Sequence, residues 1–190
     1  MTTIPAWNAQ GVIPPVDPLN PASPDRSPYA VSLVEVVQRF ATSPQRVEIL
    51  RGFLEYRAAL HQIGLTDGFQ WLDGSFLENK EVRLGTPPDD IDVVTFFQLP
   101  SNTTEAELSA RNSSLFDHDF VKATFHVDSF YLPLYIPPER LIAGSNYWYG
   151  MWSHQRGSFL WKGFLQVSLS SIEDASALAT LPILFGGAIP

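Results

Sequence analysis

LDGSFLENKEVRLGTPPDDIDVV, residues 72–94, runs from one hydrophobic segment through a Gly-Ser pair to a proline-marked turn and into a second hydrophobic segment. Phe69 to Leu72 reads as a short strand that ends at Gly74-Ser75. Thr86-Pro87-Pro88 marks the turn from which Asp90 to Phe97, DIDVVTFF, sets out as the next strand. Side chains on a strand alternate faces, so Asp90 and Asp92 are expected on one side and Ile91 and Val93 on the other.

Upstream, Val31 to Phe40 suits a short amphipathic helix. Ser43 and Pro44 then supply a cap and a first-turn proline for a longer one. That helix is expected to reach about Ile63, with Gly64 at its stop. Val47, Leu50, Leu54 and Ala58 form one stripe, and Ile49, Phe53, Tyr56, Leu60 and Ile63 a second beside it. Downstream, residues 103–111 read as helix, capped by Thr103 or Thr104. Thr124 to Leu132 alternates like a third strand, Pro137-Pro138-Glu139 opens a helix toward Trp148, and residues 164–169 read as a last strand. The expected fold class is α+β, a mixed β-sheet flanked by helices. Residues 1–28, rich in proline, are expected as an arm, and residues 29–190 as one domain.

Asp128 falls within the third expected strand, where an unpaired buried carboxylate is penalised. Together Asp90, Asp92 and Asp128 form a candidate acidic cluster at one edge of the sheet. Like charges resist joint ionisation, and a divalent cation removes that cost. Hard oxygen ligands suit Mg²⁺. Two such ions about 3.5–4 Å apart can clamp the attacking and leaving oxygens of an in-line displacement at phosphorus. Gly74 lets the backbone turn sharply, and the amides that follow, with the Ser75 hydroxyl, are candidates to bind outer phosphates. A helix beginning there would strengthen that binding.

The run LDGSFLENKEVRLGTPPDDIDVV, followed by FHVDSF at 125–130, is similar to the signature of the DNA-polymerase-beta-like nucleotidyltransferase superfamily. That signature is a hydrophobic strand, Gly-Ser, a variable loop, an acid–hydrophobic–acid strand, and a third acid on a later strand. The resemblance covers roughly residues 69–130 and is to minimal, single-domain bacterial members. It implies a nucleotidyltransferase-like fold and a metal-dependent transfer of a nucleoside monophosphate from an NTP to an acceptor hydroxyl. It also implies Mg²⁺ (two ions, with Mn²⁺ as a substitute) held by Asp90, Asp92 and Asp128. Asp128 would further assist deprotonation of the acceptor, which is a small molecule, a protein or an RNA end in such families. A small helical protein partner, in a toxin–antitoxin or phage-defence setting, belongs to the same implication.

The sequence departs from the pattern in three ways, one being that the second helical domain with which larger relatives grip base and acceptor is not expected here. The loop between Ser75 and Asp90 is long, and no basic residue directly follows Gly74-Ser75. Lys162, in Trp161-Lys162-Gly163, is the candidate phosphate-binding cation in its place. His126 is expected on the face of Asp128, as a partner or as a hydrogen-bonded core histidine. Arg156 and His154 lie in a polar stretch expected as loop, and Asp73 and Glu78 read as solvated loop acids. Tyr147, Trp148, Tyr149 and Trp152 are candidates for stacking a nucleobase or for packing.

The wider composition narrows the classes. Twenty acids against 12 bases give a net charge of −8, which disfavours non-specific DNA binding, since that rests on basic surfaces. There are no cysteines, and therefore no disulfide framework, thiolate metal site or cysteine nucleophile. The segment MTTIPAWNAQ has no secretory character, and no apolar run approaches the ~20 residues of a membrane helix. A cytoplasmic enzyme with no membrane association is the expected setting. The competing reading from another class is a non-catalytic module that binds a nucleotide or a protein on the same fold.

Overall fold

Chain order in the sheet differs from order in the sequence. The computed structural model describes residues 3–185, with five strands and seven α-helices among them. In order these are β1 (Tyr29–Ala30), α1 (Leu33–Phe40), α2 (Pro44–Gln62), β2 (Gly68–Asp73), α3 (Lys80–Leu84), β3 (Ile91–Phe97), α4 (Glu105–Arg111), α5 (His118–Phe125), β4 (Val127–Pro133), α6 (Pro138–Trp152), β5 (Leu165–Ser168) and α7 (Asp174–Phe185). The strands lie in the order β1-β5-β2-β3-β4. β1 is parallel to β5 and β3 to β4, while β2 runs antiparallel to both of its neighbours. The protein is α+β, with a mixed sheet flanked by helices. The last five residues of the expected domain, 186–190, lie outside the described residues.

Local chemistry accounts for the long helix. Ser43 accepts a hydrogen bond from the Arg46 amide and Pro44 takes the first helical position. One face of α2 is buried along its length, through Ile49, Leu50, Phe53, Tyr56 and Leu60. Two arginines lie on that face, fully buried, where the sequence pattern predicts only apolar contacts. Arg57 is held by Asp174 through two bonds of 2.8 and 2.9 Å, by Gln70 at 2.6 Å and by the Ser170 carbonyl at 3.0 Å. Arg46 is bonded to Glu81 and to the carbonyls of Phe76 and Glu78. Buried guanidinium groups require such complete pairing, because an unpartnered buried charge is very costly.

Several elements differ from the sequence reading, among them α3, which falls in the stretch read as a loop. Residues 124–125 are not strand but the end of α5, which Asp117 caps by accepting from the Phe120 amide. His126 then takes a left-handed conformation at φ +56° and turns the chain directly into β4. It therefore stands outside the strand and does not share the face of Asp128. Residues 174–185, unassigned from the pattern, form α7, which buries Ala177 and Leu181.

The proline-rich segment lies over the domain as a strap. Val12 and Ile13 are fully buried, Ile13 O accepts from Gly163 N at 2.7 Å, and Gly11 O accepts from Asn79 N at 2.8 Å. Trp7 adds an indole bond to the Leu77 carbonyl at 2.7 Å. The strap thus presses on the segment after the Gly-Ser turn and on the entry to β5. No helix among the described residues is long and apolar enough to cross a membrane.

Candidate active site

Strand register builds the centre of the site. Asp73 at the end of β2 pairs with Asp92 on β3, and Asp92 pairs with Asp128 on β4. Residues directly opposite on neighbouring strands share a face, so three carboxylates stand in a row across the sheet. Asp90 lies one residue before β3, two positions from Asp92, and joins the same face. All four, with Gly74, Ser75 and Lys162, line one open cleft of about 780 Å³. Each expected site residue is therefore brought to a single place.

Gly74 is required at the turn for two separate reasons. Its φ of +86° with ψ of −171° is a conformation essentially confined to glycine. A Cβ there would also lie 2.1 Å from Asp92 Oδ2. The carboxylate of Asp92 therefore rests directly against the turn. Ser75 opens only a three-residue 3₁₀ turn, Ser75–Leu77, so the strengthening expected from a helix starting there does not arise. What fixes the turn is Arg46, whose guanidinium holds the Phe76 carbonyl at 2.5 Å and the Glu78 carbonyl at 2.7 Å.

Lys162 corrects the expectation made for it. The residue is 4% exposed, and its ammonium lies 3.0 Å from Asp73 and 3.3 Å from Glu78, with the Gly74 carbonyl also at 3.3 Å. Its charge is neutralised beneath the turn rather than offered to phosphate. Asp73 and Glu78 are likewise no solvated loop acids, both being buried. Glu78 also binds Arg83 at 2.7 Å and Gln155 at 2.6 Å, which ties α3 and the loop after α6 to the turn. Burial lowers the proton affinity of the Lys162 ammonium, but Asp73 and Glu78 more than offset this and leave it above the ordinary lysine value.

A second lysine was not foreseen. Lys122 on α5 reaches 2.7 Å from Asp90 and 3.0 Å from Asp128. His118, also on α5, is 3.4 Å from Asp128 Oδ1. That oxygen is shielded from solvent and makes no hydrogen bond among the described residues. Neither residue stands out while 124–132 is read as one strand. With α5 recognised from its Asp117 cap, Lys122 falls in the last turn, next to the strand that carries Asp128.

The electrostatics follow from this crowding. Burial pushes the Asp92 carboxyl up to about 7, and Asp73, Asp128 and Asp90 add to the rise. Burial likewise holds Asp73 at about 6 despite Lys162. A site that raises its own carboxylates this far calls for positive charge. No three acidic or histidine side chains among the described residues enclose a metal position as they stand; Asp90 and Asp128 are both paired with Lys122. The donors nevertheless fit a hard divalent ion: oxygen ligands from Asp90, Asp92 and Asp128, an unsatisfied Asp128 Oδ1, and an open side toward the cleft.

The opposite wall is aromatic. Phe130 on β4 and Trp148 on α6 lie with ring centroids 4.5 Å apart, and Trp152 is buried behind them. Arg83, Arg156 and His154 also line the cleft, and Arg83 and Arg156 are exposed. Tyr147 and Tyr149 are outside the cleft lining, Tyr147 being largely exposed.

Residues 5–168 match DUF6932, described as a family of unknown function. The chain belongs to that family. No curated protein and no solved structure matches it. The DUF6932 match begins in the strap and ends at β5, so it takes in both lysines, the row of carboxylates and the aromatic wall.

Proposed function

We propose that this DUF6932 protein is a metal-dependent nucleotidyltransferase that moves a nucleoside monophosphate from an NTP to an acceptor hydroxyl. The observation that carries the reading is the convergence of Asp90, Asp92 and Asp128 with the Gly74-Ser75 turn at one open cleft. Their order along the chain is the order that the nucleotidyltransferase resemblance requires. Mg²⁺ bound by Asp90, Asp92 and Asp128 would supply charge neutralisation and Lewis acidity at the triphosphate.

The chain's own residues divide the remaining work. The Ser75 hydroxyl and the exposed Arg83 and Arg156 face the polyphosphate. Phe130 and Trp148 offer a base a face to stack on. Asp128 takes the acceptor proton as the hydroxyl oxygen bonds to the α-phosphorus. The bond from that phosphorus to the bridging oxygen breaks, and pyrophosphate leaves. Lys162 is a positioning residue that seats Asp73 and the turn. The cytoplasm, where Mg²⁺ and NTPs are abundant, is the setting that goes with this reading. The −8 net charge favours a small-molecule or protein acceptor over a nucleic acid.

One observation favours the second reading, a non-catalytic binding module. Lys122 already pairs with one oxygen of each of two of the three carboxylates. Calorimetric titration of ATP, GTP, CTP and UTP, with and without Mg²⁺, separates the two. The enzyme reading expects binding that needs Mg²⁺ and disappears in the Asp90→Ala, Asp92→Ala double variant. Binding that persists in that variant, or no binding of any triphosphate, would count for the module.

A further inference from the structure

Lys122 Nζ occupies the position between Asp90 Oδ2 and Asp128 Oδ2 where two neighbouring carboxylates demand a positive charge. Its backbone is fixed. α5 ends against α2, where a Cβ on Gly52 would come within 2.2 Å of the Phe125 carbonyl, and the left-handed His126 then feeds β4. Its side chain is not fixed in the same way. It is 44% exposed, whereas the carboxylates it bridges are 20% and 18% exposed. A lysine is a point charge on a flexible stem of four carbons, and it can leave a site by rotation about those bonds without moving the helix. Asp128 Oδ1 makes no hydrogen bond among the described residues, with the His118 ring 3.4 Å away, so Lys122 does not saturate the ligands it touches.

We propose that Lys122 is an intramolecular counter-ion that competes with divalent cations for Asp90 and Asp128. The inference rests on the metal-dependent reading above. In this arrangement the cluster is charge-compensated before any ion arrives, and a divalent cation binds only by displacing the ammonium. Displacement costs part of the metal's binding free energy, so removing the lysine tightens metal binding. The freed ammonium stays tethered to α5 beside the cleft, where a polyanionic ligand gives it a new partner.

The test is Mn²⁺ binding to the full chain, read from the electron paramagnetic resonance signal of free Mn²⁺, with no nucleotide present. Wild type is compared with Lys122→Met and Lys122→Arg, each checked for folding by circular dichroism. The expected result is at least tenfold tighter Mn²⁺ binding in Lys122→Met, with Lys122→Arg returning to within about threefold of wild type because it restores the charge. Equal affinity in all three proteins, or weaker binding in Lys122→Met, overturns the competition while leaving the metal site itself in place. No Mn²⁺ binding to any of the three folded proteins overturns the metal-dependent reading, and this inference with it.

Discussion

Two lysines flank Asp92, and each holds a pair of carboxylates, yet they belong to different kinds of structure. Lys162 is enclosed with Asp73 and Glu78, all three buried, under a strap that bonds to Gly163 and Asn79 on either side. Lys122 meets Asp90 and Asp128 at the mouth of the cleft with nearly half of its side chain in solvent. The contacts are almost the same length. What separates them is the cost of leaving. A buried ammonium has no water to replace its partners, whereas an exposed one can exchange carboxylate for water at a cost that an arriving divalent cation can meet. Salt-bridge geometry alone therefore does not distinguish framework from working site, but burial does.

The comparison is broken most forcefully at Lys162. Replacing it by methionine leaves Asp73 buried without a cation and Glu78 with Arg83 and Gln155 alone. The expected loss is about 3–5 kcal/mol, which lowers the melting temperature by roughly 6–20 °C in a chain of this size. Calorimetric melting measures it, and a loss of only a degree or two would place Lys162 with the exchangeable group. Gly74→Ala comes next. The strained φ costs on the order of 1–3 kcal/mol, and the new methyl group displaces the Asp92 carboxylate. Metal-dependent nucleotide binding is expected to vanish in calorimetry while the circular dichroism spectrum stays native.

A pH series sharpens the contrast without touching either lysine. Asp92 has a folded-state pKa near 7 against an ordinary carboxylate value of 3.8, so the folded protein binds its proton more tightly than the unfolded chain does. The stabilisation from that proton is complete below about pH 4 and is lost as pH rises through about 7. Melting in EDTA should show stability falling between pH 5 and pH 7.5, with the fall reduced in Asp92→Asn. The smallest effect belongs to Lys122→Met, which removes two partly exposed pairs and should change stability by no more than about 2 kcal/mol in urea unfolding. A larger loss would move Lys122 into the framework.

Much of this could be read in the sequence where local chemistry and periodicity agree. Ser43-Pro44 and Gly64 bound α2, Thr104 caps α4 through a reciprocal bond with Glu107, and the three aspartates fall where the spacing expects them. The acidic row was only partly legible. Asp73 sits beside Gly74 in the sequence, but its place in the row depends on antiparallel register with Asp92, which no local pattern carries. α5 was hidden because one left-handed residue, His126, joins a helix to a strand without the glycine or proline that usually marks such a break. Arg46 and Arg57 follow the 3.6-residue period of the buried face of α2. A pattern that counts only apolar residues passes over them, although their burial depends on partners as far away as Asp174. α7 gives no amphipathic signal, being apolar over most of its length.

β5 lies between β1 and β2, although it follows the other four described strands in the chain. On the ribosome, Asp73 and Asp92 emerge long before Lys162 and the strand that follows it. At synthesis rates of about 5–20 residues per second, the interval from Asp92 to Lys162 is on the order of several seconds. During that time the strap has no Gly163 amide to bond, β1 and β2 have no strand between them, and the carboxylates have no buried cation. Until Lys162 and β5 have been made, a chain therefore carries the acidic row without the buried cation and the strand that complete its surroundings.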